Sequence, residues 1–203
     1  MTSGPDPTSQ GLTILDEDWY GEDLEGRSYL DCTFRDVDLT EVTTRGTTFE
    51  SCRFSSCRLN ASTHRASSFV ACEFRRTSFF GATFDGCKLT GSTFVECTLR
   101  PLTVVGGQWR AVSLRGAKLT GLDLSGLPLQ ESDLSEADLT GTSLDGADLT
   151  GALLRGTTLD RADLRRATLD RVDLSTASLR GTRLDLRGAV LLAETLGAVV
   201  EVD

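Results

Sequence analysis

Histidine and methionine each occur once in the 203 residues, proline four times, and aromatic residues make up only 6%. A single histidine offers no partner at metal-ligand spacing and no reliably placed base for a serine or cysteine nucleophile, which argues against metal and hydrolytic chemistry. No stretch approaches the roughly 18 consecutive apolar residues of a spanning helix, and the mean hydropathy is -0.12. The start, MTSGPDPTSQG, has neither a basic stretch nor an apolar one, so a signal peptide is not expected and a cytoplasmic location is. Cations are also scarce: 21 Lys and Arg face 30 Asp and Glu, a net charge of -9. Direct nucleic-acid binding depends on neutralising phosphates with Lys and Arg, so it is not expected either.

What the chain does have is a period of five. From Ile14 to Leu184 every fifth residue is large and apolar, apart from Thr44 and His64, with no insertion or deletion. In the second half that residue is always leucine, from Leu114 onwards. Two places earlier stands a small or modest residue, such as Ala117, Ala137, Ala147 or Val172; two places later glycine recurs, as at Gly116, Gly121, Gly141 and Gly146. Neither the 3.6-residue helical stripe nor the 3.5-residue coiled-coil seam accommodates this spacing. In an extended segment, however, the apolar residue and the one two before it point the same way. Each unit therefore predicts a very short strand followed by a corner, with glycine where positive φ is often required. Stacked coils would form a closed tube filled by these two positions.

Units such as Ala137-Asp138-Leu139-Thr140-Gly141 and Ala147-Asp148-Leu149-Thr150-Gly151 resemble the pentapeptide-repeat family, whose pattern is A-[D/N]-L-x-x. The resemblance covers residues 12–187. It implies an all-β fold, a right-handed quadrilateral β-helix of about 8.5 coils of 20 residues, about 40 Å long at strand spacing. Cys32, Cys52, Cys57, Cys72, Cys87 and Cys97 all stand two before the apolar residue. Without a C-x-x-C motif or a secretory context, they are expected to be buried free thiols. On the family geometry, Thr44 and His64 fall on one face of adjacent coils. They mark a local irregularity, read either as a polar docking pocket beside Arg45 and Arg65 or as an inward His hydrogen-bonded to Thr44 or to backbone.

The ends differ. Residues 1–11 are expected to be a disordered tail. Residues 188–203 are expected to form a C-terminal module, with a short amphipathic helix ending at Gly197 and then an extended end. Leu191, Leu192, Leu196, Val199 and Val200 would either cap the last coil or pair with a second copy, since several members of the resembled family dimerise this way.

Nothing reads as an enzyme, and no cofactor is expected: the glycines follow the corners instead of forming a phosphate-binding loop. Function is assigned to the outer surface. The best-understood members of the family are the mycobacterial and plasmid-borne Qnr-type quinolone-resistance proteins. That resemblance implies a DNA-mimicking homodimer that engages DNA gyrase or another type II topoisomerase and modulates it or protects it from antibiotics. The candidate contact is the acidic band Asp123, Glu131, Asp133, Glu136, Asp138, Asp145 and Asp148, within a 121–150 stretch that holds no cation. The alternative is an interaction scaffold for an unrelated protein partner, using the His64 face, Phe80, or Arg35, Arg75, Arg115 and Arg155.

Overall fold

The structure, a computed structural model, describes residues 8–201. It comprises two compact units, Met1–Gln108 and Trp109–Asp203.

In the first unit, strands of three or four residues stack in parallel at twenty-residue steps on three faces. One sheet is β1 (Thr8–Gln10), β3 (Ser28–Leu30), β6 (Thr48–Glu50) and β9 (Ser68–Val70). The next is β2 (Thr13–Leu15), β4 (Thr33–Arg35), β7 (Arg53–Ser55), β10 (Glu73–Arg75) and β12 (Thr93–Val95). The third is β5 (Thr43–Arg45), β8 (Thr63–Arg65), β11 (Ala82–Asp85) and β13 (Leu102–Val105). On the fourth face single bridges join Asp18, Asp38, Arg58, Ser78 and Thr98. This is a four-faced parallel β-solenoid, as the period of five predicts.

The expectation of a tail over residues 1–11 is corrected in part. Residues 1–7 lie outside the described residues, but Thr8–Gln10 pairs in register with β3. Ser9 occupies the inward position that Tyr29 holds one coil later, and is 4% exposed. Backbone pairing, completed by Gly11 N–H donating to Leu30 O at 2.9 Å, extends the repeat where no apolar side chain signals it.

Corners explain why the period never slips. From Gly11 to Gly181 the residue two beyond each inward position has positive φ, except Pro101 and Thr176. Proline cannot comply, because its ring holds φ near about -65°. Many of these residues are not glycine: Asp36, Glu131 and Arg161 adopt φ of 55°, 60° and 59°. Left-handed backbone costs a non-glycine residue about 1–2 kcal/mol, so the ladder on either side imposes the conformation.

Two kinds of corner follow from the inward residue. In the second unit the carbonyls of Leu119, Leu139 and Leu159 each accept from the N–H three residues on, at 3.2, 3.0 and 2.9 Å. Where phenylalanine occurs in the first unit, strands often run on past the corner. The carbonyl left over then accepts from a small side chain of the next coil: Cys72 Sγ donates to Phe49 O at 3.4 Å and Ser92 Oγ to Phe69 O at 2.6 Å.

Aromatic rings fill the first unit in columns. Tyr29, Phe49 and Phe69 stack at centroid distances of 4.9 and 4.8 Å, with planes 7° and 8° apart. Phe34, Phe54, Phe74 and Phe94 do so at 4.5, 4.8 and 4.9 Å. Strand spacing and ring spacing coincide, and each pair contributes about 0.5–1.5 kcal/mol beyond its burial. In the second unit leucines replace the rings, and from Leu114 to Leu174 none of these inward leucines is more than 6% exposed. That unit ends in helix α1 (Leu186–Thr195).

Gly107 marks where glycine is irreplaceable. A Cβ there, at φ 98°, would lie 2.2 Å from the carbonyl oxygen of Cys87. At Gly146, φ 70°, nothing lies within 4 Å of an added Cβ. Chemical unfolding of Gly107→Ala is expected to show a loss above about 3 kcal/mol, against about 1–2 kcal/mol for Gly146→Ala.

Candidate functional site

His64 is 1% exposed and stacks 4.9 Å from Phe84. Its Nδ1 lies 2.9 Å from Thr44 Oγ1 and its Nε2 2.9 Å from Ser62 Oγ. Thr44 Oγ1 is in turn 2.8 Å from Ser67 Oγ, which accepts from Thr47 N–H at 3.3 Å. Ser62 Oγ donates to Leu59 O at 2.7 Å. One assignment uses each hydroxyl proton once: Ser67 donates to Thr44 instead of to Arg65 O, 3.0 Å away, Thr44 to Nδ1, and Nε2–H to Ser62. The imidazole is then neutral and fully hydrogen-bonded, and burial holds its pKa down to about 3. Arg45 and Arg65 point outwards from the same strands and are exposed, so the two rows of this face do not form one pocket.

All six cysteines are free. Burial pushes Cys57, Cys87 and Cys97 up to about 11, which makes them poor nucleophiles. Their thiols serve as weak donors to backbone carbonyls, as Cys87 Sγ does to His64 O at 3.3 Å. Among the described residues no group of three or more His, Cys, Asp or Glu is arranged to hold a metal ion.

The acidic residues of 121–150 are distributed around the second unit. Asp123 and Asp145 flank the Leu124–Leu144 column, Glu131 and Asp148 the Leu129–Leu149 column, Asp133 and Glu136 lie beside Leu134, and Asp138 lies beside Leu139. They make a belt on all four faces. Three meet arginines: Arg110 donates to Glu131 at 2.8 Å, Arg115 to Glu136 at 2.5 Å, and Arg166 binds Asp145. The other four cap their own corners. Oδ1 of Asp123, Asp133, Asp138 and Asp148 accepts from the N–H two residues on, at 2.9–3.0 Å. For Asp123, hydrogen bonds from Ser125 hold the carboxyl below the usual range, so it stays charged.

The arginine line is partly neutralised as well. In the first unit Arg35 and Arg75 are separated by Ser55, and Arg75 pairs with Glu73 at 3.1 Å. Phe80 and Val105 stand on the surface, 56% and 54% exposed. Trp109 is buried at 3%, and Trp19 is partly exposed.

At the C-terminus the helix begins two residues before residue 188, at Leu186, because Asp185 caps it by accepting from Gly188 N–H at 2.9 Å. Leu196 is the C-cap, and Gly197 follows with φ 89°. Leu191 and Leu192 are half-buried, while Leu196 and Val199 are 68% and 87% exposed. Val200 is half-buried. A groove of about 650 Å³ runs between the helix and the Arg166–Asp170 segment.

Comparison with known proteins follows from this geometry. A model of pentapeptide repeats matches eight copies, over residues 65–100, 108–146 and 147–188. The chain belongs to the pentapeptide-repeat family. Among solved structures, this pentapeptide-repeat chain is similar to full-length QnrB1, a plasmid-mediated fluoroquinolone resistance protein. The match has 22% identity and a TM-score of 0.55, covering 94% of this chain and 100% of that one. A trypsin-treated variant of QnrB1 matches at 22% identity and a TM-score of 0.50, covering 96% and 100%. No curated protein sequence matches. These likenesses establish the fold.

The structure also accounts for the family's Asp. It stands on the surface, yet it clamps the corner that follows, as Asp38 does by accepting from Thr40 N–H at 3.0 Å. Sequence reading placed these residues outwards and missed the clamp; their spacing two before the next polar residue was the available signal. It also missed Ser62 as a partner of His64 and Ser67 as a partner of Thr44, although both are polar residues at inward positions.

The neutral imidazole fixes a sign. The unfolded chain takes up a proton on His64 near pH 6.5 and the folded one does not until about 3. Stability is therefore complete above 6.5 and declines as pH falls below it, by about 2 kcal/mol at pH 5. Urea unfolding at pH 7.5 and pH 5 is expected to show this difference, and His64→Phe to remove it.

Proposed function

We propose that this chain is a non-enzymatic protein whose acidic exterior engages a type II topoisomerase of the DNA gyrase kind in the place of duplex DNA, modulating it or protecting it from topoisomerase-targeting antibiotics. The observation that carries this reading is the match with QnrB1 along the whole of that chain, a resistance protein of the same fold. Charge density supports it. Duplex DNA carries about one charge per 1.7 Å, or about six over 10 Å. Two coils occupy about 10 Å, and the belt from Asp123 to Asp148 places seven carboxylates there. Arginines meet three of them, and the corner-capping Asp123, Asp133, Asp138 and Asp148 make up the rest of the belt. A cytoplasmic site of action accords with this reading, and no helix among the described residues is long and apolar enough to cross a membrane.

The same reading makes the C-terminal helix a homodimer contact, through Leu191, Leu192, Leu196, Val199 and Val200. Two leucine-bearing grooves facing each other would cover Leu186 and Leu196, now 78% and 68% exposed. A second reading, a scaffold for an unrelated partner, is favoured by the arginines on the belt and by exposed Phe80.

Asparagine keeps the oxygen that caps each corner while removing the charge. The quadruple substitution Asp123→Asn, Asp133→Asn, Asp138→Asn and Asp148→Asn is therefore expected to leave the fold intact. It should abolish the effect of the protein on gyrase supercoiling and drug-stabilised cleavage at micromolar concentration. A parent protein with no effect on either would overturn the topoisomerase reading, and recovery of a different partner would support the scaffold. Sedimentation of Leu191→Asp with Leu196→Asp is expected to give a monomer where the parent is a dimer.

A further inference from the structure

We infer that the first coil of the first unit is a docking edge for an extended segment of another protein in which apolar and basic side chains alternate. The inference is independent of the topoisomerase reading. It starts from the backbone. In each later coil, the amide just before the inward residue donates to the coil before it: Thr33 N–H to Leu12 O at 2.8 Å, Asp38 N–H to Glu17 O at 2.9 Å, and Thr43 N–H to Glu22 O at 3.0 Å. Thr13, Asp18 and Asp23 hold the same places one coil earlier, and among the described residues no coil precedes them. The carbonyls of Asp18, Tyr20 and Asp23 are open in the same way, since Asp38 O, Thr40 O and Thr43 O accept from the coil before. Three faces thus present an unpaired parallel edge, a template for strand addition.

The side chains at this edge are unfinished too. At inward places Leu12 is 47% exposed and Ile14 and Trp19 are only half-covered, whereas the next inward residue of the Ile14 column, Phe34, is 0% exposed; outward-facing Leu15 and Tyr20 add apolar surface beside them. Around this apolar centre stand Asp16, Glu17, Asp18, Glu22, Asp23 and Glu25, and among the described residues none is in an ion pair. Arg27 is the one cation between residues 12 and 31.

Charge selects the occupant. A second copy meeting this edge with its own would bring like carboxylates together at about the 4.8 Å strand spacing, which is repulsive. A basic strand meets no such penalty. Because strand side chains alternate, its inward set would cover Ile14 and Trp19 while its outward set lay beside Asp18, Asp23 and Glu25; the one suits apolar residues and the other Arg or Lys.

The test uses the full chain and a fluorescent ten-residue peptide, Val-Arg-Val-Arg-Gly twice over, which alternates Val and Arg along each face, places Gly at the corner, and is long enough to follow two faces. Anisotropy is expected to show it binding about tenfold tighter than a peptide of the same composition with its Val and Arg in separate blocks. Asp18→Asn with Asp23→Asn and Glu25→Gln should weaken binding about tenfold. Hydrogen exchange should find the Thr13, Asp18 and Asp23 amides fast in the free protein and protected in the complex. Equal binding of the two peptides, or binding without protection, would reduce the edge to an unspecific acidic patch. Protection already present in the free protein would overturn the proposal: independent of dilution it would identify residues 1–7 as the cover, and lost on dilution a second copy.

Discussion

The fold depends on a left-handed corner every five residues. Almost every corner turns the chain by giving its third residue positive φ, and one that fails to turn would displace every later inward side chain from the tube. Glycine meets the requirement without cost, but many corners use Asp, Glu, Ala or Arg instead. Each such residue is strained by about 1–2 kcal/mol, and the parallel ladders on both sides supply the compensation. The conformation is therefore collective. Pro101 and Thr176 are the two places where a corner is made another way, and at Thr176 the hydroxyl accepts from Gly156 N–H, in the place of a backbone carbonyl.

Inside the tube, geometry sorts side chains by what the backbone leaves over. Rings at strand spacing stack face to face, and small residues beside them donate to carbonyls that the corner did not use. Cysteine, serine and threonine are interchangeable in that role, which explains how six cysteines coexist as free thiols. His64 fits the same logic: it occupies a ring position, stacks on Phe84, and is compensated in hydrogen bonds by Thr44 and Ser62. Removing one partner would leave a buried polar atom unsatisfied, which costs about 1–3 kcal/mol.

With the interior used up in this way, the exterior is the surface left to meet other molecules. Its aspartates have two tasks, since the oxygen that caps a corner and the oxygen that faces solvent belong to one carboxylate. A belt of charge is thus a by-product of corner stability before it is a recognition surface. The arginines at positions 110, 115 and 166 then decide how much of that charge is left for a partner. The first coil is different: among the described residues its carboxylates form no ion pair, and its inward side chains Ile14 and Trp19 are only half-covered.

The solenoid was legible in the sequence because a period of five has one economical solution, and the inward position of Leu139, Phe54 or Cys52 could be read from spacing alone. The unbroken register also implied which residues would stack, His64 over Thr44 among them. What spacing could not reveal was anything set by neighbours twenty residues away. The arginine on Glu131, the strand at Thr8–Gln10 and the cap that starts the helix at Leu186 all depend on which groups the coils bring side by side. A repeat encodes direction, inward or outward, in each short unit; pairing between coils arises only when the backbone has closed, and the tertiary structure alone decides it.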